Sequence, residues 1–122
     1  MRFFFQQTDS TQGVAVDMAK YLLTFHGGSM PETEEARGQV MAAWEGWFKE
    51  LGPALKDPGN PVGQSRTISS DGSVSQGGGT NPVSGYSLIE VDSIDSAVKA
   101  AKMCPVLQGG ASIEVAETFD VM

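Results

Sequence analysis

Few side chains in this sequence are equipped for chemistry. His26 is its single histidine and Cys104 its single cysteine. His26 closes the run KYLLTFH and is followed by Gly27-Gly28, a pair small enough to let a ligand approach closely. A neutral imidazole there is a candidate general base near neutral pH. The alternative is a strand-end histidine bonded to backbone or water. A carboxylate set against His26, such as Glu114 from a neighbouring strand, would favour the acid–base reading. Cys104 sits just before Pro105 at the end of a helical run, where the negative end of the helix dipole raises a thiol pKa. It therefore reads as a buried structural thiol. One cysteine also excludes an internal disulfide and a thiolate metal cage.

Other candidates concern binding. Trp44 and Trp47 fall on or beside the apolar face of a helix, where they would either wall a small apolar or aromatic pocket or fill the core. Arg37 lies further up the same helix. It is placed to meet a carboxylate or phosphate at a pocket mouth, or to pair with Glu34 or stand in solvent. Glu32, Glu34 and Glu35 form an acidic run without the His or spaced Asp of a metal site, so they read as a solvated helix start. GGGTNP superficially resembles a phosphate loop, but no Lys-Ser/Thr and no helix follow it, and GxGxxG fails for lack of a strand-loop-helix context. The residues imply no cofactor and no metal.

The bulk composition narrows the classes. A chain of 122 residues with 40% hydrophobic and 19% charged residues is one globular domain. Its net charge of −7 disfavours binding to phosphate backbones, and its basic residues form no patch along the sequence. No apolar run approaches the ~20 residues that span a bilayer. MRFFFQQTDS turns polar too soon for a secretory signal, which needs about 7–15 apolar residues. Together with the single cysteine, this fits a reducing cytoplasm.

The elements that must position these residues are mostly plain. Residues 1–18 read as a leader or arm outside the domain; as an arm, Phe3, Phe4 and Phe5 would anchor it to a sheet edge. Residues 19–122 read as the domain. Lys20 to His26 is a strand. Ser29 is the expected N-cap of a helix with Pro31 near its start, an apolar face of Val40, Trp44, Trp47, Phe48 and Leu51, and a stop at Gly52-Pro53. A hairpin turns at Asp71-Gly72, with Arg66-Thr67-Ile68 and Ser73-Val74-Ser75 as its arms. Its thin apolar content places it at an edge or on the surface. Tyr86 to Val91 is a strand, Asp92 or Ser93 caps a second helix with Ile94, Ala97, Val98 and Ala101 as its stripe, and Ile113 and Val115 mark a last strand with one wet face.

The resulting order, β–α–β–β–β–α–β, describes an α+β ferredoxin-like sandwich: an antiparallel sheet with two helices on one face. Its other face needs a cover. Pairing two such sheets is the simplest solution, which predicts a homodimer closing into a dimeric α/β barrel.

GYSLIEVDSIDSAVKAAKMCPVLQGGASIEVAETF, with KYLLTFHGG upstream, resembles the YCII-related (DGPF) domain family over roughly residues 19–119. The resemblance implies the same ferredoxin-like fold and sheet-to-sheet dimer. The family often carries a helix His where this chain has Trp44, and an Asp in a DGPF-like motif where this chain has Gln76-Gly77-Gly78-Gly79. Its favoured acid–base pair is thus absent. The candidate ligand-binding set is His26, Arg37, Trp44, Trp47 and Gln76. The expected function is a small-molecule-binding or accessory dimer. The alternative is an enzyme of lyase, isomerase or hydrolase type with His26 as acid–base, and a dimerisation domain without ligand is a third reading.

Overall fold

A computed structural model of the chain describes residues 18–121; residues 1–17, with the Phe3–Phe5 run, and residue 122 lie outside the described residues. The elements are β1 (Ala19–His26), α1 (Glu34–Leu51), β2 (Leu55–Asp57), β3 (Arg66–Ile68), β4 (Val74–Gln76), β5 (Val83–Val91), α2 (Ile94–Ala101) and β6 (Ser112–Glu117). β2, β5, β1 and β6 form one four-stranded sheet in that order, and β3 pairs with β4 in a separate two-stranded sheet. All these pairings are antiparallel. The architecture is α+β, compatible with a ferredoxin-like arrangement with the β3–β4 hairpin inserted between β2 and β5.

Alternation along β1 sorts its side chains. Tyr21, Leu23 and Phe25 are buried, while Leu22, Thr24 and His26 face the other way. β5 does the same with Ser87, Ile89 and Val91 inside. Apart from Ser87, those residues meet Trp47 and Leu51 of α1 and Ala97, Ala100 and Ala101 of α2 in one core cluster. The small residues of α2 let it lie close to the sheet.

α1 differs from the sequence expectation at its start. Thr33, not Ser29, is the N-cap: its hydroxyl accepts from the Ala36 N–H at 3.1 Å. Ser29 instead donates its backbone N–H to the Gly109 carbonyl, which ties the β1–α1 loop to the turn before β6. With this cap, Glu34 and Glu35 occupy the first turn beside the positive helix end. Ser93 caps α2, accepting from Ser96 N–H.

Trp47 joins the two helices. Its Nε1 donates to the Ala100 carbonyl at 3.0 Å inside the core, so the one polar atom of a buried indole is satisfied. Trp44 and Trp47 meet edge to face with centroids 5.6 Å apart. Phe25 and Phe48 complete the cluster, each 5.7 Å from Trp44.

β2 was not expected. Only Leu55 of its three residues is better than exposed, and it faces Ile89 across the ladder. The following loop folds back over β5. Ser87 donates its hydroxyl to the Pro58 carbonyl at 2.7 Å. Gly59 adopts a positive φ of 75°, where any Cβ would also collide with the Tyr86 carbonyl oxygen. The hairpin carries its apolar pair, Ile68 opposite Val74, at 71% and 60% exposure, which places it outside the core. Its turn is fixed by Asp71, which accepts from the Ser73 N–H and hydroxyl; these bonds hold its carboxyl below the usual range.

Replacing Trp47 tests this packing. Trp47→Phe is expected to cost about 1–2 kcal/mol through the lost hydrogen bond and a small void. Trp47→Ala is expected to cost about 3–5 kcal/mol. Denaturant titration followed by far-ultraviolet circular dichroism measures both, and equal costs would remove the indole from the core.

Candidate functional site

The sheet face turned away from the helices collects the chemistry. Register orders it in rows. Lys20 pairs with Glu90, Leu22 lies between Leu88 and Ala116, and Thr24 lies between Tyr86 and Glu114. His26 lies between Val83 and Ser112. One end of the face is therefore charged, with Lys56 Nζ 3.4 Å from Glu90 Oε1. The middle is aliphatic. The other end holds hydroxyls, an imidazole and a carboxylate.

His26 is set by two contacts. Its Nδ1 lies 3.0 Å from the Asn81 carbonyl oxygen. A carbonyl only accepts, so Nδ1 carries the proton and Nε2 is the nitrogen free to gain or lose one. Nε2 lies 3.4 Å from Glu114 Oε1. That separation is within ion-pair reach but longer than a formed charge-assisted hydrogen bond of about 2.7–2.9 Å. Nε2 is covered and has no hydrogen-bond partner. The imidazole side chain is 17% exposed and Glu114 68%. Solvent therefore reaches the Glu114 carboxylate far more than the imidazole.

Local structure explains this aim. The β1–β5 register shifts between Phe25 and His26, so Phe25 faces Gly85 and His26 faces Val83. Such a bulge re-aims the side chain next to it. Gly85 is also crowded: a Cβ there would stand 3.2 Å from Phe25 Cδ2 and 3.3 Å from the Asn60 carbonyl oxygen. The chain before β5 closes on the end of β1, with the Gly27 N–H bonded to the Pro82 carbonyl. The loop Gly77–Asn81 is thereby brought to the imidazole. Its contribution is a backbone carbonyl, not a side chain.

The other candidate residues stand elsewhere. Trp47 is buried, and Trp44 packs against Phe25 on the helix side of the sheet, opposite His26. Arg37 donates from Nη1 to the Pro31 carbonyl at 3.0 Å and tidies the loop before its own helix. Gln76 accepts from Arg66 Nε at 3.3 Å across the exposed hairpin. The structure thus brings His26 and Glu114 together and does not bring Arg37, Trp44, Trp47 or Gln76 to them. Thr24, Tyr86 and Asn81 are the neighbours that sequence reasoning missed. The alternation of β1 and β5 was the signal for Thr24 and Tyr86, and Asn81 left none. Among the described residues no group of His, Cys, Asp and Glu side chains is arranged to hold a metal ion. No described helix is long and apolar enough to cross a membrane.

Compared with models of known protein families the chain matches none, and no curated protein matches it.

Cys104 is 2% exposed, and burial pushes its thiol up to about 12, partly opposed by a hydrogen bond from the Val106 backbone. Burial, not the helix end, is the main cause. The folded state holds this proton more tightly than the unfolded chain, whose thiol loses it near pH 9.0. Stability from this group is therefore complete below pH 9 and declines as pH rises toward about 12. Native protein at pH 8 is expected to resist iodoacetamide at Cys104 and to be alkylated once unfolded, as read by mass spectrometry. Rapid alkylation of the folded protein would refute the buried thiol.

Proposed function

We propose that the chain is a YCII-like homodimer that binds a small molecule on the outer sheet face and exchanges a proton with it through Glu114 and His26. The observation that carries this reading is the placement of His26, with Nδ1 held by the Asn81 carbonyl and Nε2 3.4 Å from the exposed Glu114 carboxylate. Glu114 takes a proton from the ligand. His26 Nε2 stands behind it to share or return that proton, and Nδ1 stays held by Asn81. This is the proton step of a lyase, isomerase or hydrolase. The residues Thr24 and Tyr86, paired beside Glu114, supply hydroxyls to orient a polar head.

A YCII-like assignment is supported by the GYSLIEVDSIDSAV and GGASIEV runs, which here build β5, α2 and β6. The family's His–Asp pair is replaced by one from different positions. Dimerisation is supported by the outer face itself, because a sheet with helices on one side leaves the aliphatic row of Leu22, Leu88 and Ala116 without a layer in the described chain. A binding role without catalysis is the second reading. It is favoured by the covered state of Nε2, which a ligand does not reach directly.

Two substitutions separate these statements. Leu22→Asp sets a charge in the middle of the face and is expected to weaken self-association more than tenfold by analytical ultracentrifugation, with circular dichroism unchanged. A Leu22→Asp chain that associates like the parent would remove the sheet-to-sheet dimer. Glu114→Gln keeps the shape and removes the base. Screening a collection of small aliphatic and aromatic acids and alcohols by protein-observed NMR is expected to give binders that shift Thr24 and Tyr86 signals. Their turnover is expected to fall at least a hundredfold in Glu114→Gln with binding retained. Binding with no turnover in the parent protein would leave the binding reading and end the catalytic one.

A further inference from the structure

Tyr86 is braced along its ring and at its tip. Thr24 lies between it and Glu114 in one row across β5, β1 and β6. On the other side of β5, the chain that follows β2 is stitched down around it. The Ser87 hydroxyl donates to the Pro58 carbonyl at 2.7 Å, Pro61 bridges to Gly85, and the Val62 N–H donates to the Ser84 carbonyl at 3.0 Å. The turn between these ties is set by Asp57, whose Oδ1 accepts from the Gly59 N–H at 2.8 Å. Gly59 lies against the phenol ring: a Cβ there would stand 3.0 Å from Tyr86 Cδ2. Asn60, the next residue, donates from Nδ2 to the Tyr86 hydroxyl oxygen at 3.4 Å. The core is served by Ile89 and Val91 of the same strand, so this bracing falls on a side chain outside it.

We propose that Tyr86 donates the hydrogen bond that stabilises the oxyanion of a carbonyl substrate, that Asn60 is its positioning residue, and that the reaction is enolisation. This rests on the proton exchange assigned above to Glu114 and His26. An amide N–H only donates, so the phenol oxygen accepts from Asn60 and its own O–H remains to donate. Glu114, across Thr24, is the base. A base on one side and a fixed O–H donor on the other is what removal of a proton α to a carbonyl needs. The bond from hydrogen to the α-carbon breaks, and the proton passes to Glu114. Its electron pair becomes the C=C bond of the enolate. The carbonyl π pair moves onto oxygen, where the Tyr86 O–H meets the new charge. Return of the proton from Glu114 to carbon completes exchange or isomerisation, and no co-reactant is consumed.

The spacing of the row agrees. Neighbouring strands lie about 4.8 Å apart, so the backbones that carry Tyr86 and Glu114 stand roughly 10 Å apart. A carbonyl group between them, hydrogen-bonded at its oxygen and meeting the base at its α-carbon, spans roughly 8–9 Å in line. Thr24 is the short side chain between two long ones and leaves that room above β1. The substrate class is therefore a small ketone or aldehyde with a hydrogen on its α-carbon. The matching alcohol has no oxygen on which charge grows as the proton leaves, so the same pair of groups selects against it.

Deuterium exchange into carbonyl compounds tests this on the full chain. Butanone, cyclohexanone, phenylacetone and phenylacetaldehyde are incubated with the protein in heavy water, and loss of their α-hydrogen signals is followed by NMR. The parent is expected to speed that loss for at least one of them by about a hundredfold over buffer. Tyr86→Phe keeps the ring against Gly59 and removes the O–H, and is expected to slow exchange about a hundredfold. Asn60→Asp sets an acceptor opposite the phenol, draws its O–H away from the substrate and is expected to cost nearly as much. Circular dichroism checks that each variant is folded. The carbonyl stretch of the bound, carbon-13-labelled ketone is expected to fall in the parent and to return in Tyr86→Phe, a signature that a merely structural role would not move. Exchange lost in Glu114→Gln but kept in Tyr86→Phe would overturn the donor and leave proton transfer at Glu114 standing. Asn60→Asp behaving as the parent would overturn the positioning role. A parent that exchanges none of the four probes but turns over an acid or alcohol would overturn the substrate class alone, and one that does neither would end the proton-exchange reading with it.

Discussion

The register of β1 is the constraint on which the structure depends. β1 is held on both sides, by β5 and β6, and every second residue of it belongs to the core. A slip of one residue would turn Tyr21, Leu23 and Phe25 outward and drive Lys20, Leu22, Thr24 and His26 against α1 and α2. Burying an imidazole and an ammonium there would cost several kcal/mol, so the core enforces the register. The same enforcement delivers His26 to the opposite face. The residue carries no structural duty in the core and is placed by the phenyl beside it, since Phe25 locks into the ring cluster with Trp44.

The imidazole is oriented by the part of the sequence with the least side-chain content. Gly77 to Gly79 have nothing to offer a ligand, yet the loop they begin ends in Asn81, whose carbonyl holds Nδ1. A flexible composition is useful here, because the chain must turn back from the hairpin and meet the end of β1 at close range. Gly77 and Gly79 take positive φ values of 78° and 86° to do so. Order in β5 and α2 and looseness before them are thus two halves of one device: the first sets the frame, and the second brings a backbone acceptor to the histidine.

Most of the frame was legible. β1, α1, β5, α2 and β6 carry strong periodicity and caps, so their identity follows from the spacing of Leu23, Trp47, Ile89, Ala97 and Val115. The misses have physical causes. β2 is three residues of Leu-Lys-Asp with no alternation to read, and it exists because β5 offers a free edge. The cap moved from Ser29 to Thr33 because the Ser29 N–H found a tertiary partner in Gly109, which no local pattern records. In the site, His26 and Glu114 were readable as chemical types, and their meeting depends on the β1–β6 register. Trp44, Trp47, Arg37 and Gln76 look equally functional in sequence, but the two indoles belong to the core, and the other two side chains bond to their own helix approach and hairpin.

In the proposed dimer, site and assembly would be linked through solvent. With Glu114 68% exposed, its attraction to a charged imidazole at 3.4 Å is screened by water, and an exposed pair of this kind is worth about 0–1 kcal/mol. A second sheet laid on Leu22, Leu88 and Ala116 would exclude that water and raise the interaction several-fold, because Coulomb energy scales inversely with the effective dielectric constant. It would also narrow the space above Thr24 and Tyr86 from an open floor to a cavity. On this reading the isolated chain holds the parts of a proton-transfer site without the low dielectric that makes them effective, and the partner's contribution is a wall. That division would also let the core and the chemistry coexist in so small a domain: the helices cover one face of the sheet, and the other is polar at its ends and apolar in its middle.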